Sequence, residues 1–338
     1  MRGRLNGMRT AIAFALLLFS AGLEAQVVID TREAEVARDL ADAVAQNRPV
    51  AWDELFATAG YRDLKEREAA MGRPFMDDSF REFVSTSVVK NRGELRRTLT
   101  EWKRFDIDAA ARRARRYLPA GAAIHATVYP LIKPKTNSFV FTASHGKAIF
   151  LYLDPKVSAA KFENTVVHEL HHIGYDTVCP KPVETARLYL GGFGEGLAVL
   201  AAAGDARTHP HAVSPAAERV VWDRDVKKVD ADIARLEEFF NSILDGRISG
   251  DGVPKAFMQF ISTDDVPQGA LYTVGWTMAS TIERARGRRA LVAMICNPVR
   301  IMRTYNELTK NHRWSETLLA KLDGSTPHAG KRKVHPRR

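Results

Sequence analysis

The run His168-Glu169-Leu170-His171-His172 holds the residue types of a metal site built on one helix. A helix turns about 100° per residue, so His168 and His172 lie about 40° apart, one turn from each other. Two imidazoles so placed can share one cation. Glu169 lies within reach of a water on that cation, where a carboxylate can act as general base. The pattern H-E-x-x-H also arises by chance, so its surroundings carry the weight.

Residues 160–173 contain no Pro or Gly and read as a helix. Phe162, Val166, Leu170 and Ile173 fall within about 80° on the wheel and form a core-facing stripe. Thr165, His168, Glu169 and His172 fall on an adjoining face about 100° wide. The metal face therefore borders the buried face without competing with it. Gly174 reads as a C-cap residue ending the helix. His171 projects roughly 100° from His172 and reads as a surface or supporting histidine rather than a ligand.

A catalytic zinc takes three protein ligands and keeps one position for water. The third is expected from Glu195, in the run Gly194-Glu195-Gly196-Leu197-Ala198 that opens an apolar, alanine-rich helix. A lone carboxylate at the head of such a helix is costly to bury uncompensated, and binding Zn²⁺ removes that cost. The flanking glycines allow close backbone approach beside the motif helix. Asp176, Glu184, His209 and His211 are weaker candidates. Asp176 is too near the helix end, Glu184 sits at a helix start after Pro180 and Pro182, and the two histidines lie in a Pro-containing loop.

H-E-x-x-H followed by a Glu in a G-E-G-x-A context resembles the gluzincin metallopeptidases, the thermolysin and aminopeptidase type. The wording H-E-L-H-H-I-G with G-E-G-L-A is also similar to bacterial families of uncharacterised secreted zinc peptidases. The gap from His172 to Glu195 is 22 residues, slightly longer than in thermolysin and the aminopeptidases. The resemblance covers residues 30–320, and its specific part is residues 124–200. It implies His168, His172 and Glu195 as ligands and Glu169 as base. It also directs attention to Tyr272, because gluzincins often stabilise the oxyanion with a Tyr or His. The bland alternative for Tyr272 is a core residue on a packing helix.

The elements around the motif fit an α+β, mostly helical chain. Residues 124–131, 139–142 and 148–153 read as strands, with Ser144-His145-Gly146-Lys147 as a hairpin turn. A small antiparallel sheet is thus expected to lead into the motif helix, and 148–153 or its neighbour is a candidate edge for strand addition by a substrate. Residues 231–244, 267–286 and 300–308 read as helices, with Gly275 at a close contact. Residues 31–118 look mostly helical. Their Arg-rich run, 109–118, reads as a solvated helix face rather than a nucleic-acid site.

Residues 1–25 have a basic start (Arg2, Arg4, Arg9), a short apolar core and small residues up to Ala25, the pattern of a cleavable export signal. The expected compartment is therefore bacterial periplasm or the exterior, with no stable membrane insertion after cleavage. Removal of those residues lowers the formal charge from +10 to +8, and five of the remaining basic residues sit in the tail 331–338. The basic balance says little about the substrate. Cys179 and Cys296 could pair in an oxidising compartment, and their number excludes a cysteine zinc site.

The expected organisation is a signal at 1–25, a helical region at 26–120, a zincin-like region at 121–325 and a basic tail at 326–338. The expected activity is hydrolysis of a peptide or protein by metal-activated water. The rivals are a zinc-binding envelope protein without turnover and a helical adaptor whose motif is accidental. Cleavage preference and oligomeric state are not encoded in any motif of the chain.

Overall fold

The computed structural model describes residues 26–134, 138–144, 146–261, 269–310 and 313–324. The expected signal at 1–25, the expected tail at 326–338 and His145 of the expected hairpin turn lie outside these residues. The chain is mostly helical with one small sheet, the α+β class expected.

Strand β1 (Gln26–Ile29) comes first, followed by helices α1 (Arg32–Ala45), α2 (Trp52–Phe56), α3 (Ala59–Ala70), α4 (Asp77–Phe83), α5 (Val89–Trp102) and α6 (Ile107–Arg115). A π-helical turn, Val84–Val88, joins α4 to α5. Three strands follow: β2 (His125–Leu131), β3 (Phe139–Ala143) and β4 (Gly146–Tyr152). The rest is helical: α7 (Ala159–Val178), α8 (Thr185–Leu190), α9 (Gly194–Ala203), α10 (Ala216–Val226), α11 (Val229–Leu244), α12 (Gly252–Phe257), α13 (Ala270–Arg286), α14 (Arg288–Val292), α15 (Pro298–Leu308) and α16 (Glu316–Leu322).

The sheet corrects the antiparallel expectation. Its order is β1-β2-β4-β3. Strands β1 and β2 pair in parallel, as do β2 and β4, and only β3 runs antiparallel to β4. Strands β3 and β4 make the expected antiparallel pair, with Ala143 opposite Gly146, but β2 bypasses β3 and pairs with β4. Pairing Thr127 with Ala148 and Leu131 with Tyr152 sets β2 and β4 side by side, with Val128, Leu131, Ile149 and Phe150 fully buried. A strand buried on both faces suits parallel pairing. Strand β4 is therefore interior and cannot accept a substrate strand, whereas its neighbour β3 is an edge. Strand β1 escaped the sequence reading because four residues are too few to show a period.

Helix α7 is longer than expected. Ser158 caps its start, its hydroxyl accepting from the Lys161 N–H. Gly174 does not end it. The helix continues to Val178 and stops at Cys179, which is extended and precedes Pro180. Gly174 is instead a packing position, where an added Cβ would lie 2.3 Å from Leu118 Cδ1. Phe162, Val166, Leu170 and Ile173 are buried as the wheel requires, each contributing roughly 1.5–3 kcal/mol. Trp102 stacks on Phe162 with ring centres 4.0 Å apart. Arg113 of the Arg-rich run pairs with Glu163 at 2.9 Å, so that helix also holds α7. A disulfide between Cys179 and Cys296 ties the end of α7 to the residues just before α15.

One buried acid makes stability depend on pH. Glu33 of α1 is 1% exposed, and its Oε2 accepts from the Ile132 N–H at 3.0 Å. Burial pushes its pKa up from the ordinary 4.5 to about 8, against the opposing pull of that hydrogen bond. The folded protein thus holds a proton that the unfolded chain releases above its lower pKa. Stability from this group is full at acid pH and is lost as pH rises toward 8. In thermal melts at pH 5 and pH 8, the wild type should lose more stability than Glu33→Gln, by up to a few kcal/mol. Parallel pH curves for the two proteins would remove Glu33 from this account.

Candidate metal centre

Helices α7 and α9 pack against each other, and α9 also packs against α13. The α9–α13 crossing is unusually close. A Cβ on Gly196 would lie 2.1 Å from the Trp276 backbone nitrogen, and one on Gly275 would lie 2.8 Å from the Phe193 carbonyl oxygen. Gly275 thus makes the close contact expected of it. Gly196 serves this crossing and not an approach to the motif helix, which corrects the sequence reading. Seating α9 on α13 fixes Glu195, in the first turn of α9, opposite His168 and His172 on α7.

The three side chains converge. His168 Nε2 lies 3.1 Å from Glu195 Oε2, His172 Nε2 lies 3.2 Å from the same oxygen, and the two Nε2 atoms are 3.1 Å apart. This triangle is nearly equilateral. An imidazole nitrogen has one in-plane direction for its proton or lone pair, so it cannot aim well at two partners in different directions. All three atoms can aim at one point near the triangle's centre. A tetrahedral zinc with bonds of about 2.0–2.1 Å would space its donors about 3.3 Å apart. Two nitrogens and one carboxylate oxygen are also a donor set that zinc accepts. The residues therefore fit the metal that the motif implies. Among the described residues, no other group of three His, Cys, Asp or Glu side chains meets in this way.

The electrostatics agree. Burial disfavours charge on His172, yet the Glu195 carboxylate beside it outweighs burial and raises its pKa to about 9. Burial opposes the Glu195 charge as well, but the two histidines hold its carboxyl well below the usual range. A site that draws a proton this strongly is one where a cation is stabilised.

The competing ligands fall away. Asp176 is exposed, 3.7 Å from Lys147 Nζ. Glu184 is exposed at the start of α8. His209 pairs with Asp223 at 3.0 Å. His171 is not at the surface. It is 1% exposed, packs beside His172 and Tyr175, and burial with its two histidine neighbours lowers its pKa to about 3. It is a neutral core residue behind the triangle.

A cleft of about 220 Å³ opens beside His168. Thr165 and Glu169 of α7, Val199 of α9 and Tyr272 of α13 line it, with His211 from the loop before α10. Glu169 thus shares the cleft with His168. The Tyr272 ring lies parallel to the His168 ring, with centres 6.3 Å apart and planes 7° apart. Tyr272 is half-buried on the cleft wall and is not packed away in the core.

His211 is the cleft residue whose place the sequence reading missed. Its Nδ1 lies 3.0 Å from Ser214 Oγ and 3.3 Å from Glu218 Oε2, and its ring packs on Trp222. Lys161 Nζ donates to the same Glu218 oxygen at 2.7 Å. The His211 contact first, then Lys161, lowers the Glu218 pKa to about 2 despite burial. No sequence period joins a loop histidine to an acid seven residues on, so only the packing of α10 brings the two together.

Residues 52–313 match the family described as "Putative zinc dependent peptidase (DUF5700)". No curated protein and no solved structure matches the chain.

Proposed function

The chain belongs to this family, and on that premise we propose that it is an exported zinc peptidase of gluzincin type, with His168, His172 and Glu195 as ligands of Zn²⁺ and Glu169 as general base. One observation carries the reading: three donor atoms close a near-equilateral triangle beside an open cleft that Glu169 shares. When bound, zinc supplies Lewis acidity, polarising a peptide carbonyl and making a water acidic near neutral pH. Glu169 would serve as the general base, taking a proton from the attacking water and passing it to the leaving amine. The Tyr272 hydroxyl donates to the oxyanion as it develops. His211, held by Ser214 and Glu218, supplies a second polar group on the cleft wall. Export through residues 1–25 accords with the Cys179–Cys296 disulfide, since such bonds persist in oxidising compartments.

Metal content and hydrolysis of an unfolded protein substrate test the reading together. The purified protein should carry about one zinc per chain, lose activity to a chelator and regain it with zinc. A chain that keeps no zinc, or cleaves equally well without it, rules the reading out.

Tyr272→Phe separates a catalytic from a packing role. An oxyanion donor predicts a fall in kcat of roughly 10²-fold with little change in melting temperature. A packing role predicts a loss of about 1 kcal/mol of stability and an unchanged kcat.

A further inference from the structure

The cleft beside the donor triangle extends beyond the groups that the proton transfers use. Glu195, Val199 and Ala202 share one face of α9, since offsets of four and seven residues turn a helix by about 40° and −20°. Val199 and Ala202 both line the cleft. At 1.5 Å per residue they lie about 6 and 10.5 Å along the axis from Glu195. On α7 the lining residues Thr165 and Lys161 lie about 4.5 and 10.5 Å back from His168. The cleft is therefore a trough about two helical turns long, leading away from the triangle between α7 and α9.

The α9 side of the trough is apolar. Val199 is half-buried, Ala202 is 7% exposed, and Pro210 from the loop after α9 adds a third apolar surface. The polar groups on the α7 side are engaged within the protein. Lys161 Nζ donates to Glu218 Oε2 at 2.7 Å and to Ser214 Oγ at 3.0 Å, so a carboxylate meets its charge. Asn164 Oδ1 accepts from Arg113 Nη2 at 3.0 Å, and the Thr165 hydroxyl donates to the Lys161 carbonyl at 3.1 Å. A charged side chain laid on Val199, Ala202 and Pro210 would lose water without gaining a partner there. Size is the second limit. The whole cleft holds about 220 Å³, below the roughly 300–1,000 Å³ of sites that enclose a small molecule. A substrate's backbone at the reacting carbonyl takes part of that room, which leaves space for a short side chain and not for an aromatic ring.

We propose that this trough is the specificity subsite of the enzyme and takes one short aliphatic side chain, alanine or valine, next to the bond that is cut. Val199, one turn from Glu195, sets its width, and Ala202 and Pro210 close its far part. The inference rests on the zinc-peptidase reading and adds the class of residue recognised.

Digestion of an unfolded protein mixture by the zinc-loaded full chain, with cleavage sites read by mass spectrometry, tests the proposal. Ala and Val should be enriched at one position beside the cut. In quenched peptides that vary only at that position, kcat/KM for Ala and Val should exceed that for Phe, Lys and Glu at least tenfold, since an apolar pocket discriminates even one methylene by roughly tenfold or more. Val199→Ala should raise kcat/KM for the Leu and Phe peptides several-fold relative to the Ala peptide. Val199→Phe should lower the Val peptide at least tenfold relative to the Ala peptide, and Val199→Ala carries the test should that variant fail to fold. Both variants should keep about one zinc per chain. Cleavage without selectivity, a preference for aromatic or charged residues, or an unchanged ranking of peptides in the folded variants would overturn this inference alone. No cleavage of any peptide by the zinc-loaded chain would overturn the peptidase reading and the subsite with it.

Discussion

Glu169→Gln should keep about one zinc per chain and lose peptide turnover by about 10³-fold. Glu169 is absent from the donor triangle but lines the cleft beside His168. The amide preserves the side chain's shape and removes its capacity to accept a proton. Loss of a positioned general base costs 10²–10⁴-fold, typically with little effect on folding. A fall in kcat with KM nearly unchanged is the expected split, because the proton moves only on the way to the transition state. Zinc content is the control. If the variant loses its metal, Glu169 is a ligand and the assignment is wrong. If it keeps both metal and full turnover, the metal-water mechanism fails and the chain is better read as a zinc-binding protein without catalysis.

Glu195→Ala should reduce retained zinc from about one per chain to a trace after dialysis. His168→Ala and His172→Ala should do the same. Each removes one vertex of the triangle, and two donors do not hold zinc against water. Glu195 also supplies the negative charge that holds the pair of imidazoles to a cation. Glu184→Ala is the matched control, since that carboxylate is exposed and lies outside the triangle. The same chemistry sets the pH dependence. Protons compete with the metal for both imidazoles, so zinc retention by the wild type should weaken as pH falls. Full zinc affinity in Glu195→Ala would mean that the third ligand lies elsewhere. Loss of zinc in Glu184→Ala would mean the same.

Helix α7 and its His/Glu face were legible in the sequence because both follow from one period. A repeat of 3.6 residues puts Phe162, Val166, Leu170 and Ile173 on one side and His168, Glu169 and His172 beside them, whatever the helix packs on. Glu195 was legible for a different reason. A lone acid opening a run of Leu, Ala and Val is costly without a partner, so its partner had to be sought nearby. Cys179 and Cys296 could be named as a pair, but their spacing of 117 residues says nothing about distance. What the sequence determined is therefore local: which residues share a face, and which side chains need compensation.

Four features required the tertiary structure. Gly174 ends a helix on local rules, yet here it lies inside one, at a place where Leu118 leaves no room for a Cβ. His171 reads as a surface or supporting residue from its offset on the wheel, and only the packed structure decides for the second by burying it beside His172 and Tyr175. The sheet order β1-β2-β4-β3 makes β4 interior, a choice set by burial on both faces and invisible to a hairpin rule. His211 lines the cleft from the loop before α10, a helix that packs on α13 and carries the Glu218 that holds its ring. In each case the deciding contact joins residues far apart in the chain. Helical period fixes neighbours within a turn or two, whereas contacts between elements depend on how whole faces dock, which no single stretch of residues encodes.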